Sequence, residues 1–137
     1  MKTAELEREY LDYYVAKADG LPIYAAGTDS WPGNAHVHRE SFEHSVILIS
    51  LMGISHGLFI EHSAKSVRYS PSVNWEYAGP IIEREHICIG YSEVHGWGAD
   101  FQDDVPYRWH GKTPLIAAMR VFVASRFGDE VEDIPSC

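Results

Sequence analysis

Residues 112–128 read "KTPLIAAMRVFVASRFG" and carry the clearest folding signal in the chain. Thr113 is a favourable N-cap, Pro114 suits the first helical position, and Gly128 suits the end of a helix. Apolar residues recur between these points at helical spacing and form one stripe: Leu115, Ala118, Met119, Phe122 and Val123. The pattern predicts a C-terminal helix that presents this stripe to a core.

A second helix is predicted near the N-terminus, over residues 3–19. Thr3 can serve as its N-cap, and the acidic residues that follow suit the positive end of the helix dipole. Gly20 is expected to end the helix. The residues that recur at helical spacing are Leu6, Tyr10, Tyr14 and Ala18. We therefore expect these four side chains to share one face.

The middle of the chain has the features of short strands. Residues 45–54 are an apolar run rich in β-branched residues, which predicts a buried strand, with a helix as the alternative. Residues 57–62 follow a short turn and are the expected hairpin partner. Two further strands are predicted at residues 87–91 and around residues 97–101.

Proline and glycine positions complete the outline. Pro80 follows Gly79 and suits the first position of a helix, so residues 80–85 are expected to form a single helical turn. Residues 25–40 have the Gly, Pro, Asn and Asp content of a loop. Helices at both ends with strands between them predict an α+β fold, in which a small antiparallel sheet is packed by an N-terminal and a C-terminal helix.

Length and composition limit the function classes. With 137 residues, 45% of them apolar and 23% charged, the chain has the size and composition of one globular domain. The 20 acidic residues outnumber the 11 basic ones and give a formal charge of -9, which argues against a nucleic-acid duplex as partner. Two cysteines make no disulfide framework, and we find no signal-peptide pattern and no apolar run of membrane-spanning length. We expect a cytoplasmic protein with no membrane partner.

The sequence offers little that is typical of catalysis. Eight histidines, among them His36 and His38, invite a metal site, but neither an HExxH motif nor a Cys pair accompanies them. Cys88 lies between two isoleucines, the setting of an inert packed thiol. Glu83 and Glu85 are a weak carboxylate pair. Because nucleophile-elbow, phosphate-loop and dinucleotide motifs are also missing, we predict no catalytic residue, no metal and no cofactor.

The residues that remain have the chemistry of a ligand-binding site. Lys112 and Thr113 stand at a predicted helix start, where free backbone N–H groups favour an anion. Guanidinium groups can bind phosphate or carboxylate, and aromatic rings can stack on a base. The predicted ligand-binding residues are Tyr69, Ser70, Ser72, Asn74, Trp75, Arg84, Lys112, Thr113 and Arg120. The competing interpretation is that the aromatics cover the edge of the core while the arginines pair with the many acidic residues.

Three strings stand out as a set: "LDYYVAKADG" (residues 11–20), "YSPSVNWEYAGPIIEREHI" (residues 69–87) and "GKTPLIAAMRVFVASRFGDEVEDIP" (residues 111–135). Together they resemble the NinX-like family of small bacteriophage and prophage proteins, a domain of unknown function. The resemblance covers residues 11–20 and 69–134. The positions that match the family pattern are Tyr69, Ser70, Pro71, Ser72, Trp75, Gly79, Pro80, Glu83, Arg84, Glu85, Trp97, Thr113, Pro114 and Arg120.

The sequence also departs from the family pattern. Val73 and Asn74 stand where the family has Thr-Asp, and Ala78 stands where it has Gly. An asparagine cannot act as the base that an aspartate could be, which disfavours an enzyme, whereas its amide still offers hydrogen bonds to a ligand. The segment up to residue 67 is longer than in short family members. Chain length predicts a single domain over residues 1–137, and the resemblance adds a variable loop or hairpin insertion at about residues 21–66.

Resemblance and residue chemistry together lead to one main functional hypothesis. The protein is expected to be a phage accessory protein in the bacterial cytoplasm that binds a small anionic, nucleotide-derived molecule without turnover. It would sequester a host immune signal, and a homo-oligomer is one form it could take. The first alternative is an acidic inhibitor that binds a host or phage protein. The second alternative is a hydrolase or transferase that acts on a nucleotide.

Overall fold

A computed structural model describes residues 1–25, 44–50, 52–62, 65–103 and 106–134. The helices and strands within these residues are α1 (Arg8–Ala18), β1 (Ile23–Ala25), β2 (Val46–Ile49), β3 (Leu58–His62), β4 (Lys65–Arg68), α2 (Trp75–Glu85), β5 (Cys88–Ser92), β6 (Gly96–Asp100), β7 (Trp109–Gly111) and α3 (Pro114–Phe127). The α+β class, with a helix near each end of the chain, is confirmed. No helix among the described residues is both long enough and apolar enough to cross a membrane.

The first sheet has four strands in the order β1-β2-β3-β4. β2 and β3 form the predicted hairpin, with Ile47 opposite Ile60. β2 ends at Ile49, sooner than predicted, and a 3-10 turn over Ile54–His56 precedes β3. β4 pairs antiparallel with β3, whereas β1 pairs parallel with β2. The sequence patterns predict neither β1 nor β4. From residue 26 onward the predicted loop lies outside the described residues.

The second sheet is an antiparallel meander of β5, β6 and β7. The strands predicted at residues 87–91 and 97–101 are confirmed within one residue at each end, while β7 has no sequence prediction. The register places Gly90 opposite Gly98 and Trp97 opposite Gly111. Two paired glycines leave the middle of this sheet without side chains on either strand.

Helix α3 is buried on every side over residues 115–123, while its last turn is exposed. The predicted caps are confirmed, because the Thr113 Oγ1 accepts a hydrogen bond from the Ile116 N–H at 3.2 Å and Gly128 follows the last turn. Every residue from 115 to 123 is buried, since α3 packs against the three-stranded sheet and also against α1 and α2. A helix that is apolar all round is typical of such a position. The predicted stripe is therefore only part of its contact surface.

The predicted start of α1 is wrong, because the helix begins at Arg8 and residues Thr3–Glu5 form a separate 3-10 turn. Thr3 does not cap α1. Its hydroxyl donates to the Gly128 carbonyl at 2.8 Å, and its backbone N–H donates to the Asp129 carbonyl at 2.9 Å. These contacts tie the first residues of the chain to the segment after α3.

The predicted face of α1 is only partly confirmed, because Tyr14 is buried and Ala18 packs against the core, but the other two residues do not fit it. Leu6 precedes the helix, and Tyr10 is 39% exposed. The buried residues of α1 form a continuous run from Leu11 to Ala16 that includes the polar Asp12. Helix α1 packs on α3 and on the β3 side of the first sheet, so more than one of its faces is covered.

The predicted start of α2 at Pro80 is wrong as well. The helix begins at Trp75, because the Asn74 Oδ1 caps it by accepting a hydrogen bond from the Glu76 N–H at 3.0 Å. Pro80 lies inside α2, where its ring crowds the preceding residue in the helical conformation. That residue is Gly79, which has no Cβ to clash. The single turn predicted over residues 80–85 is thus the second half of a longer helix.

Gly111 allows β7 to lie directly on α3. A Cβ at this position would be 2.7 Å from the Ala117 backbone nitrogen and 2.7 Å from the Ile116 Cγ2. A helix backbone in a packed core cannot move aside without disturbing its other contacts. We therefore expect Gly111→Ala to lower the free energy of unfolding by about 2–3 kcal/mol. Chemical denaturation of the two proteins measures this difference.

The matched control is Gly79→Ala, which adds the same methyl group where no atom lies within 4 Å apart from the two adjoining residues and the backbone of α2 itself. Its gain in helix propensity is opposed by the following proline, so we expect a change within about 1 kcal/mol. An equal loss of stability in both variants would contradict the steric explanation for Gly111.

Candidate functional site

The two paired glycines of the second sheet make room for the ring of Tyr107. A Cβ at Gly90 would be 2.6 Å from the Tyr107 Cε2, and a Cβ at Gly98 would be 2.9 Å from the Tyr107 Cβ. The ring therefore crosses both glycines in direct contact with the sheet backbone. Its hydroxyl donates to the Asp103 Oδ1 at 2.6 Å. This hydrogen bond and the glycine floor fix the position of the aromatic side chain.

A cavity of about 350 Å³ lies beside this ring. The rings of His95 and His110 stand 5.7 Å apart, centroid to centroid, and both belong to its wall. The Nδ1 of His110 is buried and has no hydrogen-bond partner within the part of the chain that the structure describes. The lining residues are Tyr91, Ser92, Val94, His95, Gly96, Gly98, Pro106, Tyr107 and His110. The site is thus apolar and aromatic, with imidazole groups at one side.

A charged groove adjoins the cavity at the same two histidines. Its lining residues are Ala4, Glu5, Glu7, His95, His110, Gly111, Lys112 and Arg120. Lys112 is 80% exposed in its side chain and stands at the start of α3, whereas the Arg120 side chain is only 9% exposed. A molecule that filled the cavity could therefore extend towards two cations.

Arg120 connects three parts of the fold at this groove. Its Nε donates to the Leu6 carbonyl at 3.0 Å, and its NH1 donates to the His110 carbonyl at 2.7 Å. Burial lowers the pKa of the guanidinium, and the nearby Glu7 carboxylate opposes this effect. Arg120 thus holds the N-terminal segment and β7 together while one side of its guanidinium faces Glu7.

Of the nine predicted binding residues, Lys112 and Arg120 line this groove. Thr113 follows Lys112, but its hydroxyl oxygen accepts the capping hydrogen bond of α3. Arg84 pairs with Asp19 at 2.8 Å and with Glu85 at 3.2 Å, as the competing interpretation expects for the arginines. The structure therefore brings together the cations of the C-terminal part of the predicted site.

The other predicted residues lie around α1 and the start of α2. Tyr69 and Ser72 are buried, while Trp75 is 55% exposed. The Ser70 carbonyl accepts hydrogen bonds from the backbone N–H groups of residues 73 and 74, and Asn74 caps α2. None of these residues, nor Arg84, is among those that line the groove or the cavity. This segment forms a turn that leads into a helix.

Asp12 is the residue around which this second group is organised. It is 3% exposed, and its Oδ1 accepts a hydrogen bond from the Ser72 backbone N–H at 2.8 Å. Burial raises the pKa of Asp12 to about 7, although the hydrogen bonding of Ser72 opposes the shift. Burial also raises the pKa of Tyr69 well above its ordinary value. The group is a buried polar contact between α1 and the turn before α2.

The sequence interpretation missed Tyr107, His95, His110 and Asp12. A signal for the first three was available in the glycines of "GYSEVHGWG", residues 90–98, because glycine within a strand often marks a close approach of another group. Among the residues that the structure describes, no three His, Cys, Asp or Glu side chains come together as a metal site. His36 and His38 lie outside those residues.

The sequence profile of the family described as Bacteriophage P22, NinX matches residues 2–126. The chain belongs to the NinX family. The NinX match includes every residue that lines the cavity and the groove. Among curated proteins, no sequence matches the chain. Both halves of the candidate site are thus built within the part of the chain that defines the NinX family.

Proposed function

We propose that this NinX-family protein binds a small anionic, nucleotide-derived molecule at the cavity and groove, without transforming it. The observation that carries the proposal is the continuity of an aromatic cavity with a groove that contains Lys112 and Arg120. A volume of about 350 Å³ is within the usual range for small-molecule sites. As a phage accessory protein it would sequester a nucleotide-derived signal of the host.

The two parts of the site suit the two parts of such a ligand. Tyr91, Tyr107 and the two imidazoles offer faces on which a planar base can stack. The Ser92 hydroxyl and the imidazoles of His95 and His110 offer polar groups in a largely apolar wall. Lys112 offers an exposed ammonium to a phosphate at the open end. A binder is favoured over an enzyme because stacking and charge pairing require no reactive group.

We expect Tyr107→Ala combined with Lys112→Met to lose a ligand that the unchanged protein retains. Each protein is incubated with lysate from phage-infected cells, purified and denatured, and the released small molecules are identified by mass spectrometry. Loss of a charge-assisted contact alone should weaken binding about tenfold, and loss of the stacking ring adds to this. The expected result is a stoichiometric nucleotide-like species that disappears in the double variant.

The matched control is Tyr10→Ala combined with Lys65→Met, which removes the same chemical groups from residues that line neither part of the site. This control should retain the ligand. Equal loss in both double variants, or no ligand in any sample, would contradict the proposal. Loss in Trp75→Ala but not in Tyr107→Ala would place the ligand at the turn before α2. Recovery of a chemically altered nucleotide would support turnover instead.

A further inference from the structure

The cations of the groove already have an anionic partner within the protein. The Glu7 Oε1 lies 3.6 Å from the Lys112 Nζ and 3.8 Å from the Arg120 NH2. One carboxylate oxygen thus stands between an exposed ammonium and a buried guanidinium. The three charged groups all belong to the wall of the same groove.

These contacts are loose. Neither distance is short enough for a hydrogen bond, which requires a nitrogen-to-oxygen separation near 3 Å. The other two nitrogens of the Arg120 guanidinium do form hydrogen bonds: Nε lies 3.0 Å and NH1 lies 2.7 Å from a backbone carbonyl oxygen. The Glu7 carboxylate therefore offsets one of the two positive charges, and it satisfies neither the NH2 group nor the ammonium by hydrogen bonding.

From this geometry, and on the basis of the proposed function, we infer that the ligand's phosphate group takes the place of the Glu7 carboxylate between Lys112 and Arg120. The Glu7 side chain is 41% exposed, so rotation of its own bonds can move the carboxylate into solvent while the backbone remains in place. Glu7 then competes with the ligand for the two cations, so an anion must bind them more strongly than Glu7 does to occupy the groove.

The charge of the competitor selects the class of ligand. A carboxylate or a phosphodiester carries one negative charge, the same as Glu7, so replacing Glu7 with it brings no additional negative charge to the two cations. A terminal phosphate monoester carries nearly two negative charges at neutral pH and has three acceptor oxygens. Three oxygens can approach both cations at hydrogen-bonding distance, which the single Glu7 oxygen does not. The site therefore favours a nucleoside monophosphate with a terminal phosphate over its cyclic diester.

The test compares Glu7→Gln with Glu5→Gln by titration calorimetry, with adenosine 5′-monophosphate, adenosine and inorganic phosphate as probes. Glu5 lines the same groove but is not in the contact with the two cations, so its variant controls for the loss of one charge. A partly exposed ion pair contributes about 1 kcal/mol at most, so removal of Glu7 should tighten binding of both phosphate-bearing probes about fivefold. Adenosine should change less than about twofold, as should all probes with Glu5→Gln.

Glu7→Asp keeps the charge but withdraws the carboxylate by one methylene, and it serves if Glu7→Gln does not fold. We expect the same direction of change. If the unchanged protein binds adenosine 5′-monophosphate and neither Glu7 variant binds it more tightly than Glu5→Gln does, the inference about Glu7 is overturned and the proposed function stands. If none of the three probes binds to any of these proteins, both are overturned.

Discussion

Replacement of Arg120 by methionine is expected to lower the free energy of unfolding by about 4 kcal/mol, because it leaves buried polar groups unpaired. Methionine is long and flexible enough to fill much of the same space. It cannot donate to the Leu6 and His110 carbonyls, which accept from the Arg120 guanidinium at 3.0 and 2.7 Å. The N-terminal segment and β7 would both lose their hydrogen bond to the Arg120 side chain of α3. Denaturant-induced unfolding, followed by circular dichroism, measures the loss.

The control for this variant is Arg108→Met. Arg108 is 68% exposed in its side chain and pairs with Asp129 at 3.2 Å. An exposed pair of this kind contributes about 0.2–1 kcal/mol, so the control should stay close to the unchanged protein. If Arg120→Met were as stable as Arg108→Met, the hydrogen bonds of Arg120 to Leu6 and His110 would not contribute to the free energy of unfolding.

Asp12→Asn is expected to remove a fall in stability that the unchanged protein shows as pH rises from about 4 to about 7. In the unfolded chain an aspartate loses its proton near pH 4, whereas folded Asp12 retains it up to about pH 7. Over this interval the unfolded state binds fewer protons, so the free energy of unfolding decreases with pH. A shift of about three pKa units corresponds to roughly 4 kcal/mol, and above pH 7 no further loss arises from this group.

An asparagine keeps the oxygen that accepts the Ser72 N–H but carries no charge to bury. The variant should therefore match the unchanged protein near pH 4 and exceed its stability at pH 8. Asp19→Asn removes a carboxylate that pairs with Arg84 just beyond the end of α1, and this control should keep the original pH profile. Urea denaturation across the pH range tests the idea, which fails if Asp12→Asn shows the same decrease as the unchanged chain.

The sequence predicts the ends of a helix well when the residues that cap the helix lie next to it in the chain. Thr113, Pro114 and Gly128 lie within the helix that they delimit, so its bounds could be predicted. The cap of α2 at Asn74 is equally local, but Pro80 suits a first helical position and led to the prediction of a later start. Thr3 resembles a cap only in sequence, because its partners lie more than 120 residues away, at Gly128 and Asp129.

Contacts between distant residues explain the rest of what the sequence could not predict. The parallel pairing of β1 with β2 depends on the path of the chain, not on either strand's composition. Lys112 is recognisable in the sequence as a cation at a helix start, and Arg120 as a cation on the same helix. The cavity next to them exists only because strand register sets Gly90 opposite Gly98 and Tyr107 then lies across both. No periodic pattern in the sequence expresses that approach.

The burial of residues 115–123 of α3 on every side leads us to expect a particular order of assembly. The hairpins of both sheets pair residues that are close in sequence, and such contacts form quickly. The apolar faces of the two sheets and of α1 are covered only when α3 docks between them. Docking of α3 on α1 closes a loop of about a hundred residues, and closing this loop costs conformational entropy. We expect this docking to be the slow step. Variants in which α3 is less stable should fold slowly. Their partly folded chains would expose apolar surface and aggregate more readily.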